Sequence, residues 1–340
     1  MNEFLAAARP FWHAVARSSD VAPGQTLAVT LLEEQLVLWR SPAGQLSLLD
    51  DLCSHRGVRL SMGSVTDEGC LRCPYHAWEY DPTGACTRIP QLPHDRIPSR
   101  ADVPGYQTTE HSGLVWACLV PAGEEARPAP RLEEVDDLGT HWLHVGEPMD
   151  WACQAPRQIE NFCDVAHFSV LHVDTFGNPD EVVVPPYDVT RSDDGWRLSF
   201  DYPYVSAYDQ GTAANADGSY GMVFGYRAEL PLAVHLDNAA GPGTVMFVAP
   251  SPTTATTCRV FWCTGFPLGT EVDVPAFEAV EDAVFAPDQR IVEGQRPERL
   301  PLDLTEELHL PFDRFAVAYR RALVDLGFPA LGRHMANSVE

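Results

Sequence analysis

Short apolar stretches separated by glycine, proline and aspartate fill the first third of the chain. Strands are predicted at residues 11–17, 27–32, 36–40, 45–50 and 113–120. Short strands between such turns are typical of a small β domain. Residues 121–130, rich in proline and glutamate, are predicted to be a linker. The pattern therefore predicts an all-β domain over residues 1–120, whose helix-like residues 1–10 can pack on the domain that follows.

The pattern changes after the predicted linker. Further strands are predicted at residues 142–145, 182–184, 187–191, 196–202, 222–229, 232–236, 245–249 and 257–266. So many consecutive strands predict one sizeable antiparallel sheet. Helical periodicity predicts flanking helices at residues 156–172, 274–295 and 312–326. The predicted fold class is α+β, with a second domain over residues 121–340.

The net charge argues against some classes of partner, and the cysteine content indicates a cellular compartment. The net charge is −25, and every basic residue is arginine, so the surface should repel nucleic acid and anionic membranes. We find neither a membrane-spanning apolar run nor a secretory signal in the sequence. Nine cysteines in such a chain predict a reducing compartment, the cytoplasm, with thiols used for metal or for packing. Cys118, Cys258 and Cys263 lie in apolar stretches and are expected to be buried.

Two cysteine–histidine pairs carry the most specific chemistry. Cys53 and His55 form the first pair, and Cys73 and His76 form the second after seventeen intervening residues. A [2Fe–2S] cluster with two histidines on one iron is the Rieske type, in which Cys53 and Cys73 would bind the inner iron. The alternative is a structural zinc, but zinc sites usually place their two cysteines together. The mixed pairs therefore favour the Rieske interpretation, with Cys70 as a bystander.

A second candidate site lies at Asp164, His167 and His172. On an ideal helix Asp164 and His167 share one face, whereas His172 falls about 140° from His167. The two histidines can converge on one ion only if the helix is distorted or ends near Val170. Two histidines and a carboxylate form the facial triad of non-haem Fe(II) oxygenases. A helical histidine is more often solvated than a ligand, but the cluster motif upstream reverses that expectation.

These motifs resemble those of a known family. Residues 53–63 and 73–84 resemble the two cluster loops of ring-hydroxylating Rieske oxygenases. Residues 164–172 resemble the catalytic motif of the Rieske non-haem iron oxygenases. Residues 167–177 are most similar to the α-only group of vanillate O-demethylase and toluenesulfonate monooxygenase. The family usually has glycine where Ala77 stands, and a methyl group there costs little unless the backbone takes a positive φ.

The resemblance implies a helix-grip-like catalytic domain in which His167 and His172 bind a mononuclear Fe(II). Residues 285–295 resemble the segment that supplies the third ligand, which favours Asp288. Asp282 is the alternative if Asp288 only caps a helix. The family also implies that Asp164 bridges to His76 of a neighbouring subunit, in a head-to-tail homotrimer.

The function implied is that of a terminal oxygenase component. A ferredoxin-type reductase would supply electrons from NAD(P)H, and O₂ would be the co-substrate. The expected reaction is hydroxylation or O- or N-demethylation of an aromatic or polycyclic small molecule. Dihydroxylation giving a cis-diol is a less favoured alternative, since it is commoner in enzymes with a β subunit. A pure Rieske electron-transfer protein, the alternative from another class, would need no triad and would be about a third as long.

Six residues are candidates for contact with substrate, chosen only by residue type and by position in the sequence. They are Asn161, Tyr208, Asn215, Tyr220, His235 and Trp262. Residues 209–220, rich in glycine, alanine, asparagine and aspartate, are predicted to form a mobile loop. Arg314, Arg320 and Arg321 are expected to brace the last helix rather than touch substrate.

Overall fold

The computed structural model describes residues 2–94, 96–121, 126–209, 214–238 and 243–330. The chain divides into a first compact unit, Ala8–Arg131, and a second one formed by the residues before Ala8 and from Leu132 onward. Residues 122–125 of the predicted linker, and part of the predicted loop at 209–220, lie outside the described residues. None of the described helices combines the length and apolar character that a membrane span requires.

The first unit is built from short antiparallel strands. They are β1 (Trp12–Arg17), β2 (Thr26–Leu31), β3 (Glu34–Arg40), β4 (Leu46–Asp50), β5 (Ser64–Val65), β6 (Leu71–Arg72), β7 (Glu79–Tyr80), β8 (Cys86–Arg88), β9 (Gly105–His111) and β10 (Leu114–Pro121). One sheet has the order β1-β10-β9-β4-β3-β2, and a smaller sheet has the order β5-β6-β7-β8. Short 3₁₀ turns cover Ser18–Asp20, Leu60–Met62 and Ser99–Ala101.

One apolar cluster holds the first unit together. Trp39 and Leu49 of the larger sheet and Leu71 of the smaller one are fully buried in it. Cys53 and Cys73 belong to the same cluster and are 3% and 2% exposed. The two loops that carry these cysteines are therefore anchored in the core, where their backbone is held by packing.

The second unit contains the helices and the larger sheet. The helices are α1 (Glu3–Ala8), α2 (Glu133–Asp136), α3 (Ala155–Phe162), α4 (Phe168–Leu171), α5 (Val274–Glu293) and α6 (Arg314–Asp325). The strands are β11 (His141–Val145), β12 (Met149–Trp151), β13 (Thr190–Arg191), β14 (Arg197–Ser206), β15 (Tyr220–Glu229), β16 (Ala233–Asn238), β17 (Val245–Pro252) and β18 (Cys258–Pro267). Within the second unit α1 also contacts the segment that follows α6, since the Phe4 and Phe328 rings lie 5.3 Å apart.

The large sheet is antiparallel, in the order β11-β18-β17-β16-β15-β14-β13, and β12 also pairs with β18. The predicted α+β class, with an all-β domain before a large antiparallel sheet, is confirmed. The predicted strand at residues 182–184 is not formed, and Val182 and Val183 are exposed. Cys118, Cys258 and Cys263 are buried, as expected.

The predicted helix at residues 156–172 is interrupted. α3 ends at Phe162, and a turn separates it from the single turn of α4. Asp164 explains the interruption, because its Oδ1 accepts the N–H of Ala166 at 2.8 Å. A short carboxylate that bonds to nearby backbone offers the chain an alternative to the helical ladder.

A buried arginine of α6 braces α3 against the segment that follows α5. Arg320 is 2% exposed, and its Nε and Nη2 donate to the two carboxylate oxygens of Glu160 at 2.7 and 2.6 Å. It also donates to Glu307 Oε2 at 2.6 Å and to the carbonyl of Pro301 at 3.0 Å. Of the three C-terminal arginines expected to brace the last helix, Arg320 has the burial and the contacts of a bracing residue, whereas Arg321 is exposed.

We predict that Arg320→Met destabilises the protein by about 3–5 kcal/mol, because it leaves Glu160, whose side chain is only 15% exposed, without a counter-charge. Arg321→Met is the matched control, since Arg321 is exposed on the same helix and should change stability by less than about 0.5 kcal/mol. Urea denaturation of both variants measures the difference. Equal midpoints would show that the ion pairs do not stabilise the fold.

Candidate metal centres and substrate cavity

The two predicted cluster loops have the same backbone hydrogen bonds. In the first loop the N–H of Cys53 donates to Val58 and the N–H of Gly57 donates to the carbonyl of Cys53, both at 2.9 Å. The second loop repeats these bonds twenty residues later. There the N–H of Cys73 donates to the carbonyl five residues further on at 2.9 Å, and the N–H of Ala77 donates to the carbonyl of Cys73 at 3.2 Å. Each loop therefore turns back on its cysteine and presents its histidine beside it.

The four predicted cluster ligands are arranged with the thiols inside and the imidazoles outside. Cys53 and Cys73 are buried, whereas His55 and His76 are partly exposed. The Nδ1 atoms of the two histidines lie 3.1 Å apart. The His55 ring also stacks on Trp78, with the ring centroids 4.5 Å apart. Facing imidazole nitrogens above two buried thiols form the donor set that a Rieske cluster requires.

Burial and neighbouring groups shift the pKa values of two of these ligands. Burial raises the pKa of the Cys73 thiol, and the neighbouring Cys53 adds to this. Partial desolvation, with the adjacent His76 and Arg56, lowers the pKa of His55, a shift toward the neutral imidazole that metal binding needs. Tyr80 Oη lies 3.1 Å from Cys53 Sγ. Cys70 is not drawn into this group, and its sulfur contacts the hydroxyl of Thr87 at 4.0 Å.

The residue after His76 lies in the left-handed region of backbone conformation. The φ angle is 57° at Ala77 and 66° at the matching Gly57. The condition under which a methyl group would be costly at position 77 is therefore met. An L-residue in this conformation costs roughly 1–2 kcal/mol, so the second loop is held under strain that a glycine would avoid.

The second candidate centre brings three predicted ligands to one point. The Nε2 atoms of His167 and His172 lie 3.1 Å apart. Asp288 Oδ1 lies 3.5 Å from the first nitrogen and 3.3 Å from the second. His172 and Asp288 are 2% and 6% exposed. Two imidazole nitrogens and one carboxylate oxygen within 4.8 Å of one another form a donor set that fits a divalent cation.

The local fold explains how these side chains meet. His167 precedes α4 and His172 follows it, so the helix ends as the sequence argument required. The His172 ring stacks on Phe176, with centroids 4.8 Å apart. Asp288 lies inside α5, directly after Pro287, and does not cap that helix. Asp282, the alternative carboxylate, is exposed on α5.

Two polar residues lie behind the ligands. Asn161 Nδ2 is 3.5 Å from Asp288 Oδ1. Asp164 Oδ2 is 3.5 Å from His167 Nδ1, and the Asp164 side chain is 42% exposed. Among the described residues the Nδ1 atoms of His167 and His172 have no hydrogen-bond partner, although both are buried. Metal-bound histidines usually have such a partner for their second nitrogen, and Asp164 is placed to act as one.

A cavity of about 230 Å³ opens beside the three ligands. Part of its wall is a row of side chains in register across the large sheet. Tyr226 of β15 lies opposite Leu236 of β16, which lies opposite Met246 of β17. Met246 lies opposite Thr264 of β18. Directly opposite residues share a face of the sheet, and this row lines the cavity.

One face of α5 supplies another wall of the cavity. It consists of Phe277, Val280, Glu281, Val284, Phe285 and Asp288. The spacing of three and four residues is that of a single helix face. Glu281 is partly buried. Burial, with the negative charge of Asp282, raises the pKa of Glu281 to about 7. The position of Glu281 on this face could be predicted from the sequence, since Glu281 precedes Asp288 by two helical turns.

The six residues chosen as candidates for substrate contact are not among the described residues that line this cavity. His235 is next to Leu236 on β16 and therefore points to the opposite face, against Phe247. Trp262 lies on β18 behind Phe285, and its indole donates to the carbonyl of Glu147.

The other candidates lie nearer the surface or behind the ligands. Tyr208 donates to the carbonyl of Val173 at 2.6 Å. Asn215 is exposed and bonds to Ser219, and Tyr220 begins β15. Asn161 lies beside Asp288. Contact between these six residues and a substrate stays a prediction.

Comparison with known proteins finds a family match for each of the two regions that contain a candidate metal site. The family described as the Rieske [2Fe-2S] domain matches residues 11–107. The family described as the vanillate O-demethylase oxygenase C-terminal domain matches residues 151–327. The first match contains both cysteine–histidine pairs, and the second contains His167, His172 and Asp288.

Similar proteins cover nearly the whole chain. The methylxanthine N1-demethylase NdmA of Pseudomonas putida is 30% identical over 94% of this chain and 89% of its own length. The methylxanthine N3-demethylase NdmB of the same organism is 27% identical over 95% of this chain and 90% of its own. The solved structure of NdmA with caffeine superposes with a TM-score of 0.80 at 29% identity, covering 94% of this chain and 91% of NdmA.

We predict opposite effects for exchanges at the two matching loop positions. Ala77→Gly should stabilise the first unit by up to about 1 kcal/mol, because it relieves a left-handed alanine. Gly57→Ala should destabilise it by about 1 kcal/mol, although the space around Gly57 is open. Thermal unfolding of the two variants measures the shifts. A loss of stability in Ala77→Gly would contradict the strain argument.

Proposed function

The chain belongs to the Rieske non-haem iron oxygenases, and we propose that it demethylates or hydroxylates an aromatic or polycyclic small molecule. The observation that carries this proposal is the meeting of His167, His172 and Asp288 at one apolar cavity. The similarity to two methylxanthine N-demethylases supports N-demethylation within that range. The predicted family and enzyme class are confirmed. A Rieske electron-transfer protein without oxygenase activity would not need a substrate cavity.

We assign the cluster ligands by their burial. Cys53 and Cys73 would hold the inner iron of a [2Fe–2S] cluster, because both thiols are buried in the core. His55 and His76 would hold the outer iron at the protein surface. This arrangement keeps the charged thiolates away from water and leaves the imidazole edges exposed to a partner. Electron entry at the histidine side follows from that exposure.

We assign Fe(II) to His167, His172 and Asp288, a donor set that leaves coordination positions open. Bound Fe(II) supplies the activation of O₂ at this site. The surrounding side chains bind and orient the substrate. The aromatic and aliphatic walls exclude water and hold the substrate beside the ligands. Asn161 steadies the Asp288 carboxylate, and Phe176 fixes the plane of His172.

As a Rieske oxygenase component, the chain accepts electrons from a separate reductase. We propose a ferredoxin-type reductase that draws on NAD(P)H, and a homotrimer in which Asp164 meets His76 of a neighbouring subunit. Support comes from exposed apolar side chains around the cluster loops. Leu52, Met62 and Tyr75 are 52%, 70% and 63% exposed. The exposed edge of Asp164 is also free for such a contact.

The domain assignment is also a proposal. Residues 1–120 would serve as the electron-entry domain and residues 121–340 as the catalytic domain. The family matches at 11–107 and 151–327 support it, and the Phe4–Phe328 contact supports the packing of residues 1–10 on the second domain. All nine cysteines are free, which supports a reducing compartment, the cytoplasm.

Metal analysis and oxygen uptake test the proposal together. The purified protein should contain about three irons per chain, two in the cluster and one at the triad. With a reductase and NAD(P)H it should consume O₂ in a substrate-dependent way, measured across methylated aromatic and polycyclic compounds. Two irons without substrate-dependent uptake would favour an electron carrier instead.

We predict that Asp288→Ala loses the mononuclear iron and all turnover but keeps the absorbance of the cluster, because two imidazoles alone hold Fe(II) poorly. Asp282→Ala is the matched control, since Asp282 is exposed on the same helix. Iron analysis with visible spectroscopy measures both effects. The reverse result would assign the third ligand to Asp282.

We predict that Asp164→Asn keeps iron content and oligomeric state but slows turnover on the order of 10- to 100-fold. The substitution preserves the shape of the side chain and removes the charge that faces His167. Single-turnover reoxidation of the reduced protein with substrate and O₂ measures the effect. Reoxidation at the wild-type rate would mean that Asp164 only shapes the turn after α3.

A further inference from the structure

The substrate cavity contains one acidic side chain that the metal site does not use. Glu281 lines it on α5, two turns before Asp288 on the same face. Its immediate neighbours on that face are Phe277, Val284 and Phe285, which are apolar. Among the described residues its carboxylate has no ion-pair or hydrogen-bond partner. A carboxylate in apolar surroundings is costly unless a counter-charge meets it.

The opposite charge is missing from the cavity itself. No arginine is among the described residues that line it, and the chain contains no lysine. The basic side chains present are His167 and His172, which belong to the metal site. Apart from the metal ion itself, a negatively charged substrate would therefore meet the Glu281 carboxylate and no basic side chain outside the metal ligands. A positively charged group would instead supply the partner that Glu281 lacks.

A second unpaired polar group lies on the sheet wall. Thr264 is 3% exposed, and its Oγ1 has no hydrogen-bond partner among the described residues. It is the hydroxyl at the end of an apolar row that includes Leu236 and Met246. Leaving a buried hydroxyl unpaired is unfavourable. A substrate that carries a polar group in addition to its ring system would satisfy this hydroxyl.

We propose that the cavity selects a substrate with a positively charged nitrogen, which pairs with the Glu281 carboxylate while the carbon to be oxidised lies at the metal ligands. The inference rests on the proposed function and names its substrate class. Glu281 lies seven positions before Asp288 on the helix, a rise of about 10 Å along the axis. A compact aromatic amine spans that distance, so the nitrogen and the reacting carbon lie at opposite ends of the ring system.

Three probes of one size and three charges test this inference. They are para-methoxybenzylamine, which is cationic, para-methoxybenzyl alcohol, which is neutral, and para-methoxybenzoate, which is anionic. Their affinities for the iron-loaded protein are measured by calorimetry without O₂. The amine should bind about tenfold to hundredfold more tightly than the alcohol, as a charge-assisted pair would give. The benzoate should bind most weakly.

Glu281→Gln keeps the shape of the side chain and should remove the preference for the amine over the alcohol. Glu278→Gln is the matched control. It removes one charge from the same helix, but Glu278 lies beside His144 and outside the lining of the cavity. That variant should keep the preference of the wild-type protein.

Equal binding of amine and alcohol by the wild-type protein would overturn the inference, as would failure of the amine to bind. A preference that survives in Glu281→Gln would also overturn it. The proposed function has a separate readout. If the amine is preferred but no compound supports O₂ uptake with a reductase, the oxygenase proposal fails while the assignment of Glu281 stands. If O₂ uptake occurs without a preference for the amine, the assignment of Glu281 fails while the oxygenase proposal stands.

Discussion

The meeting of two imidazoles and one carboxylate depends on where the helical segments around them begin and end. A continuous helix over residues 156–172 would place His167 and His172 about 140° apart. The helical segment between them is instead the single turn of α4, which ends at Leu171. The chain also leaves α3 earlier, after Phe162, and the Asp164 carboxylate accepts the N–H of Ala166 in that turn. The other oxygen of the same carboxylate faces His167. One side chain therefore both shapes the backbone that presents the ligand and lies beside the ligand's ring.

The metal-binding motifs could be predicted from the sequence because they are local. Each cysteine–histidine pair lies within a few residues, and the same holds for Asp164, His167 and His172. The condition that the helix must end between the two histidines was also available from geometry alone. What periodicity could not supply was the earlier end of α3 at Phe162, because a helical pattern and an aspartate that competes with it occupy the same residues.

The cavity could be predicted only in part. The α5 wall follows a helical spacing that runs through Glu281 and Asp288, so periodicity was sufficient to predict it. The sheet wall could not be predicted in this way, because Tyr226, Leu236, Met246 and Thr264 are brought together by register between strands. A shift of one residue reverses the face of every side chain in a strand. His235, chosen for its chemistry, lies on the opposite face for that reason.

The contact between Phe4 and Phe328 has a consequence for biosynthesis. Residue 4 leaves the ribosome about 320 residues before its partner, and at roughly 5–20 residues per second the delay is on the order of tens of seconds. During that time Phe4 and the fully buried Leu5 have no completed surface to cover them. A nascent chain stalled before residue 328 would therefore present this apolar segment to chaperones and proteases.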